Sequence, residues 1–192
     1  MNPALDRRPL VVVIAGPNGS GKTTFYHAHL KACGLRFLNA DVLAREIGLQ
    51  PYDAARAATA LREELLAQRE SFVFETVFSD PAGDKLGFLK RAVECGYTVV
   101  LCFIGISGPE VSEERVAMRV AQGGHDVPTD KLFARYPRTM TNLRQAIREL
   151  PCVWIFDNDD LGIPFRKVGV FERGTLINRS ATIPPWLRPL LT

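Results

Sequence analysis

The chain has 192 residues, which is enough for one compact domain and too few for two large ones. Hydrophobic residues make up 46% and charged residues 23%, so the composition is that of a globular protein and excludes a disordered or low-complexity scaffold. The formal net charge is only +3, an excess too small to predict a general affinity for nucleic acid or anionic lipid.

Neither a membrane span nor a signal peptide is predicted. The strongly apolar run near the start covers only residues 10–15, far short of the roughly 18 residues that a span needs. It leads into a glycine-rich loop rather than a cleavage site, so we expect a cytoplasmic protein without membrane contact. The four cysteines are widely spaced and predict reduced, packed thiols.

Short apolar runs alternate with longer amphipathic segments, a rhythm typical of β-α-β units. The predicted strands cover residues 10–15, 36–39, 72–77, 97–104 and 153–156, all rich in Val, Ile, Phe and Leu. The predicted helices cover residues 22–33, 52–70, 84–95, 111–122 and 130–150, with Gly34 and Gly96 as C-terminal caps. The pattern predicts a three-layer α/β/α fold with a mostly parallel five-stranded sheet.

The last thirty residues read differently from the rest. Residues 165–172 and 175–178 flank Arg173 and Gly174, which predicts a β-hairpin on the sheet edge. The prolines further on predict a poorly ordered tail. We expect one domain over residues 1–192, with the hairpin and tail occupying about 163–192.

Nine consecutive residues follow the first strand and match the pattern Gly, four residues, Gly-Lys-Ser/Thr of a phosphate-binding loop. They are Gly16, Pro17, Asn18, Gly19, Ser20, Gly21, Lys22, Thr23 and Thr24. Glycines let the backbone N–H groups face the phosphates of a nucleotide, and the following helix presents its positive N-terminus. We expect Lys22 to contact the β- and γ-phosphates and the Thr23 hydroxyl to bind Mg²⁺.

The chain length favours a small-molecule kinase among the P-loop proteins, because such an enzyme needs only the loop, a substrate pocket and a mobile basic lid. No Asn-Lys-x-Asp motif of a guanine-nucleotide switch is present. Asp41 follows the predicted second strand, at the sheet edge where α/β folds place ligands. It is a candidate to orient or deprotonate the accepting hydroxyl, and the alternative is a helix N-cap for residues 41–47.

The third predicted strand ends in Glu75 and Thr76 at the same edge. A carboxylate after three apolar residues needs a partner, so Glu75 must meet a cation, a Mg²⁺-bound water or a hydroxyl donor. Thr76 is a candidate to hydrogen-bond the substrate. A structural ion pair for Glu75 and a purely structural Thr76 are the alternatives.

Basic residues are concentrated in one segment. Residues 115–148 contain six Arg and one Lys against two Asp, a formal charge of +5, so the rest of the chain carries 3 − 5 = −2. Residues 111–140, named here the lid segment, have the glycine-hinged, basic character of a phosphate-clamping lid. The candidate phosphate or substrate contacts in it are Arg119, His125, Arg135 and Arg138.

In this order the motifs resemble the zeta toxin family of P-loop kinases, particularly its small single-domain members. They are the phosphate loop, Asn39-Ala40-Asp41, Phe74-Glu75-Thr76, Arg119-Val120 with Gly123-Gly124-His125-Asp126-Val127-Pro128, Arg135-Tyr136 and Asp157-Asn158. The resemblance implies a kinase that uses ATP and Mg²⁺, and better-known members phosphorylate the 3′-hydroxyl of the sugar in UDP-N-acetylglucosamine.

The resemblance also implies roles for single residues. Asp41 matches the family's catalytic base, and Glu75 and Thr76 match its substrate-binding strand end. Arg119 and Arg135 match its catalytic lid arginines. Lys22 and Thr23, discussed above, match its phosphate and magnesium contacts.

Two other functions stay open from the sequence. A polynucleotide or nucleoside could be the acceptor, although no aromatic stacking platform accompanies the basic segment, so nucleic acid is not the expected partner. Alternatively, the chain is a non-catalytic ATP-dependent switch that binds a partner protein, in which case an antitoxin-like partner could cover the nucleotide site.

Overall fold

The structure, a computed structural model, describes residues 3–48, 50–124 and 126–191. Seven strands form one sheet in the order β2-β3-β1-β4-β5-β6-β7. They are β1 (Leu10–Ala15), β2 (Arg36–Leu38), β3 (Phe72–Thr76), β4 (Thr98–Gly105), β5 (Val153–Asp157), β6 (Arg166–Glu172) and β7 (Thr175–Arg179). The first five pair in parallel and the last two are antiparallel additions at one edge.

In the described ranges, six α-helices connect the strands. They are α1 (Lys22–Phe25), α2 (Ala40–Ile47), α3 (Pro51–Ala67), α4 (Asp84–Glu94), α5 (Pro109–Ala121) and α6 (Thr129–Glu149). α1 continues through a π-helical turn, Tyr26–Leu30, and a 3-10 turn, Lys31–Cys33, to Gly34 in the left-handed conformation. The predicted extent of this helix and its glycine terminus are confirmed, whereas its irregular winding was not predicted. Helix α2 corresponds to the helix over residues 41–47 that was considered only as the alternative role of Asp41.

The two faces of the sheet are covered by different helices. Every residue of β1 is buried, as expected for a central parallel strand. Val11 and Val13 pack in a core with residues of α3, α4 and α6, while Val12 and Ile14 pack on the other face with Phe25 and the π-helical turn. The predicted three-layer α/β/α, P-loop kinase-like fold is confirmed.

The segment after the hairpin is packed, and the prediction of a poorly ordered tail is wrong for the residues described. The indole N–H of Trp186 donates to Asp157 Oδ1 over 2.9 Å, and its ring covers Gly105, where a Cβ would lie 2.1 Å from it. Leu187 and Leu190 are also buried. The prolines do break regular structure, but large apolar side chains between them anchor the segment.

Because parallel strands end at the same edge, the loops after β1, β2 and β3 meet above the sheet.

Within the described ranges, no helix has the length and apolar character that would let it cross a membrane.

Candidate active site

A cleft of about 900 Å³ lies at the carboxyl ends of β1, β2 and β3. Its walls are the loop after β1, the start of α2, the end of β3 with the residues that follow, and parts of α3, α5 and α6. The candidate residues that line it are Asn18, Gly19, Gly21, Lys22, Thr23, Thr24, Asp41, Glu75, Thr76, Arg119, Arg135 and Arg138. The fold therefore brings candidate residues from four separate parts of the chain into one cleft.

The phosphate loop depends on glycine at two positions. Gly16 has a φ of 151°, and a Cβ there would lie 2.2 Å from the carbonyl oxygen of Ile104. Gly21, with a φ of 90°, precedes α1, and a Cβ would lie 2.8 Å from Asn158 Nδ2. A side chain at either position would collide with its surroundings. The loop can therefore approach β4 and the residue after β5 this closely only if both positions are glycine.

Two side chains from distant elements hold the loop in place. Asn158, just after β5, donates from Nδ2 to the Ser20 carbonyl over 2.9 Å and accepts at Oδ1 from the Phe165 N–H. Ser112 on α5 donates from its hydroxyl to the Asn18 carbonyl over 2.8 Å. The sequence singled out Asn158 only as part of a motif and did not single out Ser112, because nothing local ties either residue to the loop.

Lys22 is 8% exposed and donates to the carbonyls of Gly16 and Pro17 over 3.1 and 2.9 Å. Burial lowers the pKa of this amine, the nearby carboxylates of Glu75 and Asp41 partly offset that effect, and Arg119 and Arg135 add to it. Two carboxylates and two guanidinium groups therefore lie near enough to Lys22 to act on its charge.

Thr23 and Glu75 are in direct side-chain contact in the cleft. The Thr23 hydroxyl donates to Glu75 Oε2 over 2.8 Å. A hydroxyl donor is one of the three partners predicted for Glu75, so its half-buried carboxylate is satisfied. Since the proton of the hydroxyl points at the carboxylate, the lone pairs of Thr23 Oγ1 stay available to a metal ion.

Asp41 is exposed to the cleft and is not the N-cap of α2. Asn39 takes that role, since its Oδ1 accepts from the N–H groups of Asp41 and Val42 over 2.8 and 3.2 Å. The capping alternative for Asp41 is therefore wrong. Asn39, itself buried, fixes the start of the helix and leaves the carboxylate of Asp41 directed to other partners.

The remaining predicted residues occupy the cleft in different ways. The Thr76 hydroxyl accepts from the Phe78 N–H over 3.0 Å, which stabilises the turn after β3. Arg119 lies on α5, and Arg135 and Arg138 lie on α6. His125, a predicted substrate contact, lies outside the described residues.

Two buried polar side chains in or behind the cleft wall were not predicted. Arg62 of α3 lines the cleft, whereas Asn142 of α6 lies behind it and donates from Nδ2 to the carbonyls of Phe78 and Asp80, which line it. In the sequence Arg62 resembles a solvated helix residue, because it is covered by Phe74 of β3 and Phe88 of α4, which no local pattern links to it. Only the fold reveals these contacts.

The loop fits the triphosphate of a nucleotide with Mg²⁺. Lys22 has no carboxylate within ion-pairing distance among the residues described, and Asn18 Oδ1 and Ser20 Oγ are buried without a partner there. Thr23 and Glu75 offer the oxygen ligands that Mg²⁺ prefers. Within the described ranges, no cluster of three or more acidic, His or Cys side chains that could hold a metal ion was found.

Comparisons with known proteins place the chain in a family. The AAA domain family AAA_33 matches residues 11–149. A protein of Haemophilus influenzae without an assigned function is 31% identical over 130 residues, which is 65% of this chain and 91% of that protein.

Two solved structures are similar in fold. The AvrRxo1-ORF1:-ORF2 complex with ATP superimposes with a TM-score of 0.67 at 19% identity, covering 91% of this chain. This chain spans 62% of the length of that protein. A structure of the PezAT chromosomal toxin–antitoxin system of Streptococcus pneumoniae gives a TM-score of 0.63 at 17% identity, covering 85% of this chain and 72% of that one.

The family match covers well over half of the chain, from β1 to the end of α6, and includes the loop, Asp41, Glu75 and the lid arginines. The chain therefore belongs to the AAA domain family AAA_33 and has a P-loop kinase-like α/β fold.

Proposed function

We propose that the chain is an ATP- and Mg²⁺-dependent kinase of the zeta toxin type that transfers the γ-phosphoryl group to a hydroxyl of a small molecule. The observation that carries the proposal is that Asp41 lines one cleft with the phosphate loop, Lys22 and the arginines of the lid segment, and lies near enough to Lys22 to act on its charge. Residues 1–192 would form one catalytic domain, with the lid segment closing over the nucleotide.

Each residue has a chemical task in this proposal. When bound, Mg-ATP supplies the phosphoryl group and a divalent charge near the transferred oxygens. The Asp41 carboxylate orients the acceptor hydroxyl and accepts its proton as the new O–P bond forms and the bond to the ADP oxygen breaks. Lys22, Arg119 and Arg135 hold the negative charge that develops on the phosphoryl oxygens.

Thr23, Glu75 and Thr76 complete the site. We infer that Thr23 Oγ1 binds the metal directly and that Glu75 holds a metal-bound water or the acceptor, because the two side chains already touch over 2.8 Å. Thr76, Arg138 and His125 are proposed to contact the acceptor. The resemblance to the zeta toxin family makes a nucleotide sugar such as UDP-N-acetylglucosamine the first acceptor to try.

Phosphoryl transfer is tested by incubating the protein with ATP, Mg²⁺ and either UDP-N-acetylglucosamine or a metabolite extract, and by searching for a product heavier by one phosphoryl group. Asp41→Asn should lower the rate by roughly 10²–10⁴-fold, the usual contribution of general base catalysis. Asp53→Asn is the matched control, because Asp53 is exposed at the start of α3. Undiminished transfer by Asp41→Asn would defeat the proposal.

A protein partner is a second proposal. Both similar structures are assemblies, one of AvrRxo1-ORF1 with ORF2 and one of a toxin–antitoxin system, which supports proposing an antitoxin-like partner here. Induced expression in a bacterial host tests the toxin character that such a partner implies. Growth arrest by the unaltered chain but not by Asp41→Asn supports it, and normal growth with both contradicts it.

A further inference from the structure

Arg62 of α3 is a buried cation on the wall of the cleft. It is 8% exposed, and burial lowers the pKa of its guanidinium. Its hydrogen bond within the described part of the chain runs from Nη2 to the Thr59 hydroxyl over 2.9 Å. No carboxylate of the described residues lies within ion-pairing distance of it, although Glu63 and Asp80 are near enough to favour its charge.

The side chain of Arg62 is held by aromatic rings. Its guanidinium carbon lies 5.0 Å from the centre of the Phe74 ring and 5.8 Å from that of Phe88. Both rings are buried in the core, so the guanidinium packs against side chains that are themselves fixed in place. A guanidinium has five N–H donors, and a single hydroxyl satisfies only one of them.

Arg62 lies at the boundary between two adjoining cavities. Thr59, Arg62 and Lys85 line both the main cleft and an adjoining recess of about 440 Å³. Arg138 and Lys131 line the main cleft as well. Asp80 is a carboxylate of the same cleft. Its Oδ2 accepts from the backbone N–H of Lys85, and its Oδ1 is buried without a partner among the described residues.

Among the described residues that line the main cleft, eight are Lys or Arg and four are Asp or Glu, so the cleft carries an excess of positive charge. An arginine that is buried without a counter-charge destabilises the fold. A bound anion would supply that counter-charge. The planar donor fork of arginine matches the two oxygens of a carboxylate or a phosphate. The phosphate loop lies on other elements, so Arg62 is not needed to hold the nucleotide.

We propose that Arg62, with Lys85 beside it, binds an acid group of the phosphoryl acceptor, so that the acceptor is an anionic small molecule bearing a phosphate or a carboxylate. This inference rests on the proposed kinase function, because it assigns the acceptor side of the same cleft. The acid group sits on Arg62 and directs a hydroxyl elsewhere in the molecule toward Asp41.

The test separates the acceptor side from the nucleotide side by filling the phosphate loop first. Binding of inorganic phosphate and of malonate is measured by calorimetry on protein saturated with Mg²⁺ and a non-hydrolysable ATP analogue. Arg62→Met keeps an unbranched apolar chain on the Phe74 ring and removes the charge. Arg56→Gln is the matched control, because Arg56 is an exposed arginine of the same helix.

We expect at least one of the two anions to bind the nucleotide-saturated protein and to lose tenfold or more in affinity in Arg62→Met, while Arg56→Gln binds it unchanged. Tighter phosphate binding indicates a phosphorylated acceptor, and tighter malonate binding a carboxylate. Absence of binding of both anions, or equal binding by Arg62→Met, overturns the inference.

Thermal unfolding distinguishes an anion site from a merely structural cation. If Arg62 serves to bind an anion, Arg62→Met should unfold at the same temperature as the unaltered chain or higher, since an unpaired buried charge is gone. A marked fall of the unfolding temperature together with equal anion binding assigns Arg62 to packing and overturns the inference. Anion binding that persists without phosphoryl transfer to any acceptor would instead contradict the kinase function.

Discussion

The two sides of the cleft are built in different ways. The side that we assign to the nucleotide is a continuous run of nine residues whose backbone forms the surface, with Lys22 folded back onto the loop's own carbonyls. The side that we assign to the acceptor is assembled from single side chains of α2, α3, β3 and α6. A backbone-made surface tolerates little change in its glycines, whereas a surface made of side chains can change its specificity one residue at a time.

The largest expected effect comes from the nucleotide side. Lys22→Met removes the cation that we propose to stabilise the transferred phosphoryl group, and we expect kcat/KM to fall by roughly 10²–10³-fold with every acceptor, as for other lost charge-stabilising donors. Steady-state kinetics with two chemically different acceptors checks this. Lys31→Met, at an exposed lysine, is the control. A loss confined to one acceptor would show that the two sides are not separate.

The contact between Thr23 and Glu75 joins the two sides. Thr23→Val removes the hydroxyl and leaves the Glu75 carboxylate without its donor. We expect the Mg²⁺ concentration for half-maximal activity to rise by roughly 10–100-fold, the range seen when a metal site loses a supporting group. The measurement is a Mg²⁺ titration of phosphoryl transfer, with Thr175→Val in the exposed hairpin as the control. An unchanged titration curve removes Thr23 from the metal site.

Sequence patterns placed the phosphate loop correctly between β1 and α1, because its residues are contiguous and match one local motif. Asp41, Glu75 and Thr76 were also located, since polar residues at the ends of apolar strands meet at one sheet edge. Asn39 was overlooked as the cap of α2, although an Asn just after a strand is a recognisable start signal. The packing of Trp186 depends on Gly105 and Asp157, residues that no local pattern links to it.

Asn158 is an exception to the contrast between a backbone-made side and a side made of side chains. Its side chain, from a distant part of the chain, supports the phosphate loop. Asn158→Ala leaves the Ser20 carbonyl and the Phe165 N–H without this partner. We expect the free energy of unfolding to fall by about 1–3 kcal/mol, the cost of unsatisfied buried groups. Urea unfolding measures it, with Asn178→Ala on the exposed face of β7 as the control. Equal stability of the two variants would make the loop self-supporting.

The smallest effect concerns the attachment of the lid segment. The Tyr136 hydroxyl donates to the Ile106 carbonyl over 2.8 Å, tying α6 to the end of β4. Burial, with smaller contributions from Asp159 and Glu110, raises the pKa of this phenol to about 12. Tyr136→Phe should lower the free energy of unfolding by about 1 kcal/mol at neutral pH, the net value of one hydrogen bond.

The pH dependence gives this last prediction its sign. The phenol ionises near pH 10 in the unfolded chain and near 12 in the folded one, so its contribution to stability is complete below pH 10 and is lost as the pH rises toward 12. The difference in unfolding temperature between the unaltered chain and Tyr136→Phe should therefore narrow above pH 10. A difference that stays constant from pH 7 to pH 11 would mean that the Tyr136 hydroxyl does not hold the lid segment through this bond.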